Sequence, residues 1–379
     1  DIAVPRFINE FWTSGQRKGS SIHEISYRAC FKPQLPGFFI ERLTLPGDIV
    51  YDPFSGRGTT VIEAALRGRR IISNDINPLS SILTRPRLFI PPIQEVASRL
   101  GEVVIDKGAS AEIDLSMFFH PRTEAQIVSL RRYLAGRDSS GKEDVVDAWC
   151  RMVATNRLTG HSKGFFSVYT LPPNQAASRE SQKRINKKRG QIPEYRDVAA
   201  IILKKSKTLV RGVEAEEIGS LRKAGENAVF MKEDARRTPA IRSGSVQLTV
   251  TSPPFLDIVQ YPRDNWMRCW FNMIDEESVE RNLTMAHTIQ EWTEVMGGVF
   301  DELYRITIPG GWVAFEVGEI RNRKVRLDEY VIPLGIASGF ECTGVVINEQ
   351  QFTKTSNIWG IRNNGRGTNT NRIVLLRKE

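Results

Sequence analysis

The stretch DIVYDPFSGRGTTVIEAALR, residues 48–67, contains the clearest indication of the fold class. It begins with a short apolar run that ends in an acid, continues through a glycine-rich turn, and closes with an amphipathic helix pattern over Thr59–Arg67. Strand, tight loop and helix in this order form the first half of a βαβ unit. Glycines in the loop tolerate positive φ and let the backbone approach a ligand closely.

Further strand patterns follow along the chain. Arg70–Asp75 predicts a second strand, and the helical stretch after Pro78 continues a βαβ unit, which implies a parallel sheet. Five more strands are predicted at Ala228–Met231, Val246–Thr251, Trp312–Val317, Cys342–Ile347 and Arg372–Leu376. We therefore predict an α/β fold with a doubly wound, mostly parallel, seven-stranded Rossmann-like sheet.

The middle of the chain has a different character. From about residue 91 to 225 strand patterns are sparse and helical patterns are common. The segment from Arg151 to Arg211 contains fourteen Lys or Arg residues and only three Asp or Glu residues. Its excess of 11 positive charges is larger than the net charge of +9 of the whole chain. We predict that residues 93–224 form a basic, mainly helical inserted region, and that 1–92 and 225–379 form the catalytic domain.

Composition narrows the classes of function. The chain has 53 Lys and Arg against 44 Asp and Glu and a pI near 9.4, which suits a polyanionic partner. Its four cysteines lie far apart without a CxxC pair, which argues against zinc and a disulfide framework and fits a reducing cytoplasm. Neither an apolar run of about eighteen residues nor a signal-peptide pattern at the start is found.

An acid at the end of the second predicted strand suggests a nucleoside site. Asp75 follows Asp52 by twenty-three residues and can accept hydrogen bonds from ribose hydroxyls. The spacing also fits a dinucleotide site, but GxGxxG is absent because Thr59 and Thr60 follow Gly58. A plain βα turn with a structural glycine and an N-capping threonine is the remaining alternative.

The segment DPFSGRGTT, residues 52–60, resembles motif I of the S-adenosylmethionine-dependent amino-methyltransferases of DNA. NDINP at 74–78 and EDAR at 233–236 resemble the second and third motifs, which implies ribose and adenine contacts for Asp75 and Asp234; a surface turn is the alternative for Asp234. YRACFKP at 27–33 resembles the N-terminal motif, although an aromatic core segment fits equally. The implied cofactor-binding residues are Tyr27, Asp52, Phe54, Gly56, Gly58, Thr59, Thr60, Asp75, Asn77 and Asp234.

The strand ending in TSPPF, residues 251–255, carries the chemistry. Prolines stop the strand and stiffen the loop after it. An exocyclic amine of a nucleobase is a poor nucleophile, and the Ser252 hydroxyl and Pro253 carbonyl could accept its two hydrogens and aim its lone pair at a methyl group. Phe255 could stack on a base flipped out of the duplex. The predicted catalytic residues are Ser252, Pro253, Pro254 and Phe255; a simple Pro-Pro loop is the alternative.

This stretch resembles motif IV of the same family, in which DPPY is common for adenine N6 and SPPY or SPPF for cytosine N4. The resemblance implies a duplex-DNA cytosine-N4 methyltransferase, by family habit with a cognate restriction endonuclease. Carbon-5 methylation would need a thiol after a proline, and no cysteine here follows a proline. An N6-adenine enzyme, an RNA base methyltransferase, a catalytically silent DNA-binding protein and a dehydrogenase stay open.

The inserted region is the candidate for DNA recognition. His161–Tyr169 mixes aromatic residues with hydrogen-bond donors, and Lys183–Arg189 is a dense cationic run. The predicted DNA-binding residues are Lys163, Lys183, Arg184, Lys187, Lys188 and Arg189; a solvated helix face is the alternative for the run. Tyr261, Asp264, Asn265 and Trp266 resemble the family's post-catalytic helix, and residues 363–369 predict a loop near the last strands.

Overall fold

The computed structural model describes residues 3–11, 19–27, 30–171, 176–254, 261–282, 286, 288–320, 325–349 and 370–379. Its centre is an eight-stranded sheet, with a separate pair formed by β7 and β8. The strands are β1 (Arg6–Asn9), β2 (Ile49–Asp52), β3 (Arg70–Asn74), β4 (Val229–Met231), β5 (Val246–Thr251), β6 (Thr307–Val317), β7 (Glu319–Ile320), β8 (Val325–Arg326), β9 (Glu341–Glu349) and β10 (Thr370–Arg377).

The strand order is β1-β9-β10-β6-β5-β2-β3-β4. β10 pairs antiparallel with β6 and with β9, and the other neighbours in the sheet pair in parallel. The chain builds outward from β2 toward β4 on one side, and from β5 toward β6 on the other. The order therefore reverses between β2 and β5, and an open α/β sheet binds its ligands at such a switch point, outside the carboxyl ends of the strands.

All seven predicted strands are present, and the doubly wound α/β class is confirmed. The eighth strand, β1, was not predicted. It is a short edge strand whose Phe7 and Ile8 side chains are exposed, so its sequence lacks the apolar pattern of a buried strand. Another strand starts earlier than predicted, because β6 begins at Thr307 rather than at Trp312.

Thirteen α-helices are described around the sheet. They are α1 (Gln34–Leu43), α2 (Thr59–Leu66), α3 (Leu79–Thr84), α4 (Ile93–Glu102), α5 (Pro121–Ser139), α6 (Val145–Arg157), α7 (Arg179–Arg189), α8 (Val198–Val210), α9 (Ala215–Glu226), α10 (Tyr261–Phe271), α11 (Glu276–Asn282), α12 (Ile289–Ile306) and α13 (Asp328–Ala337). None of the described helices is long and apolar enough to cross a lipid bilayer.

The sheet is covered on both faces, as its continuous apolar strands require. Val50 and Val250 belong to one apolar cluster, which includes side chains of α1, α2 and the helices that follow β3. Tyr51 and Phe315 belong to the cluster on the other face, together with α12 and α13. Strand residues therefore alternate between two buried cores.

The region between β3 and β4 is helical, as predicted, and contains α3 to α9. Its core is continuous with that of the sheet, because Trp149 of α6 shares an apolar cluster with Val50. Helix α9 contacts α2 and β3 directly. The assignment of residues 93–224 as a DNA-recognition unit stays a prediction.

Candidate active site

Two loops meet at the switch point of the sheet. The glycine loop follows β2, and the loop that begins at Ser252 follows β5, the parallel neighbour of β2. The Thr251 hydroxyl donates a hydrogen bond of 2.6 Å to the Asp52 carboxylate, and the Thr60 hydroxyl donates one of 3.0 Å to the Val250 carbonyl. The ends of the two strands are thus joined by side chains, and both loops open on the same edge of the sheet.

The glycine loop requires glycine for both conformation and space. Gly56 and Gly58 have φ of +50° and +73°, in the left-handed region. A Cβ atom on Gly58 would lie 2.3 Å from Thr84, whereas one on Gly56 would make ordinary contact, at 3.6 Å, with the Tyr27 ring. The Tyr27 side chain therefore packs against the loop, and its role in binding the cofactor stays a prediction.

The two predicted threonines are buried at the start of α2. Thr60 reaches the backbone of β5, and the Thr59 hydroxyl lies 3.2 Å from Nε of Arg57 and accepts its hydrogen bond. Both hydroxyls thus hold the loop in its shape.

Asp75 ties the end of β3 to the glycine loop. Its carboxylate accepts hydrogen bonds from the Gly56 amide at 2.7 Å and from the Asn77 amide at 2.9 Å. Burial raises the pKa of Asp75 to about 6, and these two hydrogen bonds oppose the rise. Asn77 in turn accepts a hydrogen bond from the Leu79 amide, at the start of α3.

A neighbouring amide, Asn74, joins three strand ends. It pairs with the backbone of Glu233 after β4 through two hydrogen bonds of 2.9 Å, and its Nδ2 also donates to the Pro53 carbonyl at 3.4 Å. Asn74 lies within the NDINP segment, in which only Asp75 and Asn77 were predicted to bind the cofactor. No sequence signal distinguishes such a clamp from any other residue at a strand end.

Asp52 is buried beneath the loop. Its carboxylate accepts hydrogen bonds from the Thr251 hydroxyl and, at 3.2 Å, from the Phe54 amide. Burial raises the pKa of Asp52 to about 7, although these hydrogen bonds act in the opposite direction.

Asp234 lies just beyond β4 and is half exposed. Arg236 binds its carboxylate through two nitrogens, with Nη2 to Oδ2 at 2.5 Å, and this contact lowers the pKa of Asp234. In the adjacent residue, Glu233, one carboxylate oxygen is buried without a hydrogen-bond partner among the described residues.

The segment before the N-terminal motif is fixed against the glycine loop by guanidinium groups. Arg57 donates to the Ile25 carbonyl at 2.7 Å, and Arg268 of α10 donates to the Ser26 carbonyl at 3.0 Å. The Arg268 guanidinium also lies 5.8 Å from the centre of the Tyr27 ring. Residues 28 and 29 of the motif lie outside the described residues.

The loop after β5 is held from both sides of the sheet. Pro253 is buried, and the Pro254 carbonyl accepts a hydrogen bond of 3.1 Å from the indole of Trp292 in α12. Ser252 is hydrogen-bonded to the buried carboxylate of Glu316, which stands beside it on β6. The fourth predicted catalytic residue, Phe255, lies outside the described residues.

The helix after this loop, α10, is bound to the inserted region. The Asp264 carbonyl accepts a hydrogen bond from the Ala176 amide at 2.9 Å, and the Trp266 indole donates to the Ala177 carbonyl at 3.2 Å. Asn265 accepts a hydrogen bond from Arg268. Asp264 and Trp266 thus join α10 to the inserted region, and the Asn265 contact lies within the helix; the Tyr261 side chain and residues 363–369 lie outside the described residues.

The predicted DNA-binding residues are exposed on the inserted region. Lys163 lies in the loop after α6, and the other five lie on α7. The Arg189 guanidinium stacks 3.8 Å above the centre of the Tyr169 ring, and Gln182 donates to the Tyr169 carbonyl at 3.0 Å. Helix α7 is therefore anchored to the loop that carries Lys163.

Comparison with known proteins identifies one related segment. Residues 5–80 match the model of a family described as DNA methylase. M.MjaII, a type II methyltransferase of Methanocaldococcus jannaschii, is 33% identical over 84 residues, which are 22% of this chain and 16% of that protein. M.BsoBI, a type II methyltransferase of Geobacillus stearothermophilus, is 41% identical over 75 residues, 19% of this chain and 15% of that protein. The chain therefore matches less than a fifth of either relative's length.

Solved structures give weaker likenesses. A protein of Thermus thermophilus described as a DNA modification methylase, solved with S-adenosyl-L-methionine, is 22% identical over 38% of this chain and 53% of its own, with a TM-score of 0.24. A Methanosarcina mazei protein described as an S-adenosylmethionine-dependent methyltransferase is 10% identical over 90% of this chain and 96% of its own, with a TM-score of 0.34.

Proposed function

We propose, on the premise that residues 5–80 belong to a DNA methylase family, that this protein transfers a methyl group from S-adenosylmethionine to an exocyclic amine of a DNA base, namely N4 of cytosine. The observation that carries the proposal is the junction of the glycine loop and the Ser-Pro-Pro loop at the switch point, through the 2.6 Å hydrogen bond from Thr251 to Asp52. A donor held by the first loop would lie beside a base held by the second.

The described residues fit the cofactor. Gly56 offers a close backbone approach for the methionine portion, with Tyr27 packed beside it. Each carboxylate oxygen of Asp75 accepts one backbone amide and keeps a lone pair that ribose hydroxyls could use. Asp234 would accept a hydrogen bond from the adenine amino group. Its carboxylate would then bind that group and Arg236 at the same time. When bound, the cofactor supplies an electrophilic methyl group on a sulfonium.

The second loop offers acceptors for an amine. The Ser252 hydroxyl and the Pro253 carbonyl would accept the two hydrogens, which draws the nitrogen lone pair out of conjugation. The Pro254 carbonyl is already occupied by Trp292, so it fixes the loop rather than the base. Because such a loop positions its substrate without a covalent intermediate, orientation supplies most of the rate. Phe255 would stack on the flipped base.

The choice of cytosine N4 rests on the serine of the SPPF sequence. The test is to incubate the protein with methyl-labelled cofactor and either duplex DNA or tRNA, and to identify the modified nucleoside by mass spectrometry. We expect N4-methylcytosine in DNA. N6-methyladenine alone would overturn the N4 assignment, and label in tRNA alone would overturn the DNA substrate.

The exposed basic residues Lys163 and Lys183–Arg189 would bind DNA phosphates. A role in restriction and modification, with a cognate endonuclease as partner, is part of the proposal. Methylation sites mapped by sequencing would test it, because such a role requires that every copy of one short sequence be modified. Scattered, sequence-independent modification would contradict it.

A further inference from the structure

A buried carboxylate stands directly behind the predicted catalytic serine. In the β5–β6 register, Thr251 is opposite Phe315, so the next residues along, Ser252 and Glu316, are neighbours where the two strands end. Glu316 is buried, and its carboxylate is hydrogen-bonded to Ser252. Glu316 is the only acid in the apolar run of β6, and it was not among the predicted site residues.

The last strand supplies a second contact. Asn371 of β10 donates from Nδ2 to the Glu316 carboxylate at 2.9 Å. β10 is antiparallel to β6, with Ile373 opposite Glu316, so Asn371 comes from the same side of the sheet. Burial raises the pKa of Glu316, and the hydrogen bonds from Ser252 and Asn371 oppose that rise. The carboxylate thus has one amide partner and one hydroxyl partner.

A buried glutamate at this position lowers the stability of the fold. A buried carboxylate loses solvation that two neutral hydrogen bonds only partly restore, and an apolar side chain would suit the strand better. The Glu316 carboxylate has a defined chemical effect, however. A carboxylate accepts but cannot donate, so the Ser252 hydroxyl must point its hydrogen at Glu316. Both lone pairs of the serine oxygen then remain for another donor.

We infer that Glu316, held by Asn371, is a positioning residue that fixes the Ser252 hydroxyl as a hydrogen-bond acceptor for the target amine. The inference rests on the proposed function. Without the Glu316 carboxylate, the hydroxyl hydrogen of Ser252 can point at the hydrogens of the target amine and repel them. With it, a neutral serine presents acceptors only, which is the property that the amine requires.

The test is Glu316→Gln, which keeps the shape of the side chain. Asn371 still has an oxygen to donate to, so the new amide NH₂ faces Ser252 and donates to it, which turns the serine hydrogen into the pocket. We expect the single-turnover rate of methyl transfer to fall on the order of 100-fold, as when one preorganised hydrogen bond is removed from a transition state. The affinities for S-adenosylhomocysteine and for DNA should stay within about twofold, since neither ligand's main contacts change.

A double-mutant cycle distinguishes positioning from a structural role. If Glu316 acts through Ser252, the double variant Ser252→Ala, Glu316→Gln should be no slower than Ser252→Ala alone. Additive losses would overturn the inference. Asn371→Ala gives a second route should Glu316→Gln fail to fold: it leaves the carboxylate in place, and we expect about a fivefold slower transfer, equivalent to one hydrogen bond. An unchanged rate in Asn371→Ala would count against the inference.

Glu302 provides the matched control. It is a buried glutamate that accepts a hydrogen bond of 2.6 Å from the Thr238 hydroxyl, but it contacts neither loop of the site among the described residues. Glu302→Gln should lower the thermal midpoint of unfolding and leave the methyl-transfer rate within about twofold of the wild type.

If the wild-type protein methylates DNA and Glu316→Gln is equally fast, the inference alone fails. If the wild type transfers no methyl group to DNA, the proposed function fails first.

Discussion

At Gly58 the chain turns from β2 into α2 with a φ of +73°, and a methyl group on this residue would meet Thr84 at 2.3 Å. Gly68 ends the same helix region with a nearly equal φ of +71° but has open space around it. Substitution of Gly68 would therefore cost only backbone strain, whereas substitution of Gly58 would cost the same strain and a steric clash.

We expect Gly58→Ala to destabilise the fold by about 2–4 kcal/mol, the sum of a left-handed alanine and an overpacked contact. It should also weaken S-adenosylhomocysteine binding, because the glycine loop must move away from Thr84. Gly68→Ala should cost only about 1–2 kcal/mol and leave binding unchanged. Chemical denaturation and titration calorimetry would measure both. Equal losses in the two variants would contradict the steric argument.

Asp52 is the residue at which pH should affect stability. Its pKa is about 7 in the folded protein and about 3.9 in an unfolded chain. Protonation therefore favours the folded state, so the contribution of Asp52 is complete below about pH 4 and is lost as the pH rises to about 7. Asp75, whose pKa is raised to about 6, acts in the same direction.

Asp52→Asn should remove this dependence, because an amide can still accept from Thr251 or the Phe54 backbone but cannot ionise. We expect the variant to gain stability relative to the wild type as the pH rises from about 5 to about 7, by roughly 1.4 kcal/mol for each pH unit. Urea denaturation at a series of pH values would show it. A difference that is constant with pH would mean that Asp52 is not the titrating group.

At the scale of single elements, Trp292 links α12 to the Ser-Pro-Pro loop through the Pro254 carbonyl. Trp292→Phe keeps most of the buried ring and loses the indole hydrogen bond. We expect about 1 kcal/mol less stability, together with slower methyl transfer and unchanged cofactor affinity, because the loop that aligns the base becomes looser. The measurement is single-turnover kinetics beside calorimetry.

Trp149→Phe is the control for that prediction. Its indole also donates one hydrogen bond, of 2.9 Å, to a buried partner, the Ser206 hydroxyl, but between two helices of the inserted region. Its stability loss should be similar and its methyl-transfer rate normal. If both variants slow methyl transfer equally, the effect comes from general loosening and not from the catalytic loop.

The elements differ in how far the sequence could predict them. β2, α2 and β3 follow from the apolar runs and the glycine loop, because the pattern within each segment determines its structure. β1 could not be predicted, since its four residues gain stability by pairing with the distant β9 rather than from their own pattern. Glu316 was missed for a related reason: its contact with Ser252 depends on the register between β5 and β6.

For the whole molecule, the order of the strands determines the site. Motif-like segments separated by almost two hundred residues, at Asp52 and Thr251, are joined because β5 pairs with β2. Sequence alone suggested both loops but not the hydrogen bonds that connect them, from Thr251 to Asp52 and from Thr60 to the Val250 carbonyl. These polar contacts depend on strand spacing and on side-chain direction, which no local pattern encodes.

The charge of the molecule gives the last prediction. Lys183, Lys187 and Lys188 are exposed on α7, and each phosphate contact should contribute about −0.9 to the slope of log affinity against log salt. Replacing all three with Gln should therefore weaken DNA binding at low salt and make the slope shallower by up to about 3. A charge-matched triple on α8 and the residue after it, with Lys204, Lys207 and Arg211 changed to Gln, should alter the slope little, because the decisive factor is the location of the charges rather than their sum. Fluorescence anisotropy with a labelled duplex at several salt concentrations measures both slopes, and equal slopes in the two triple variants would show that α7 is only a solvated helix face.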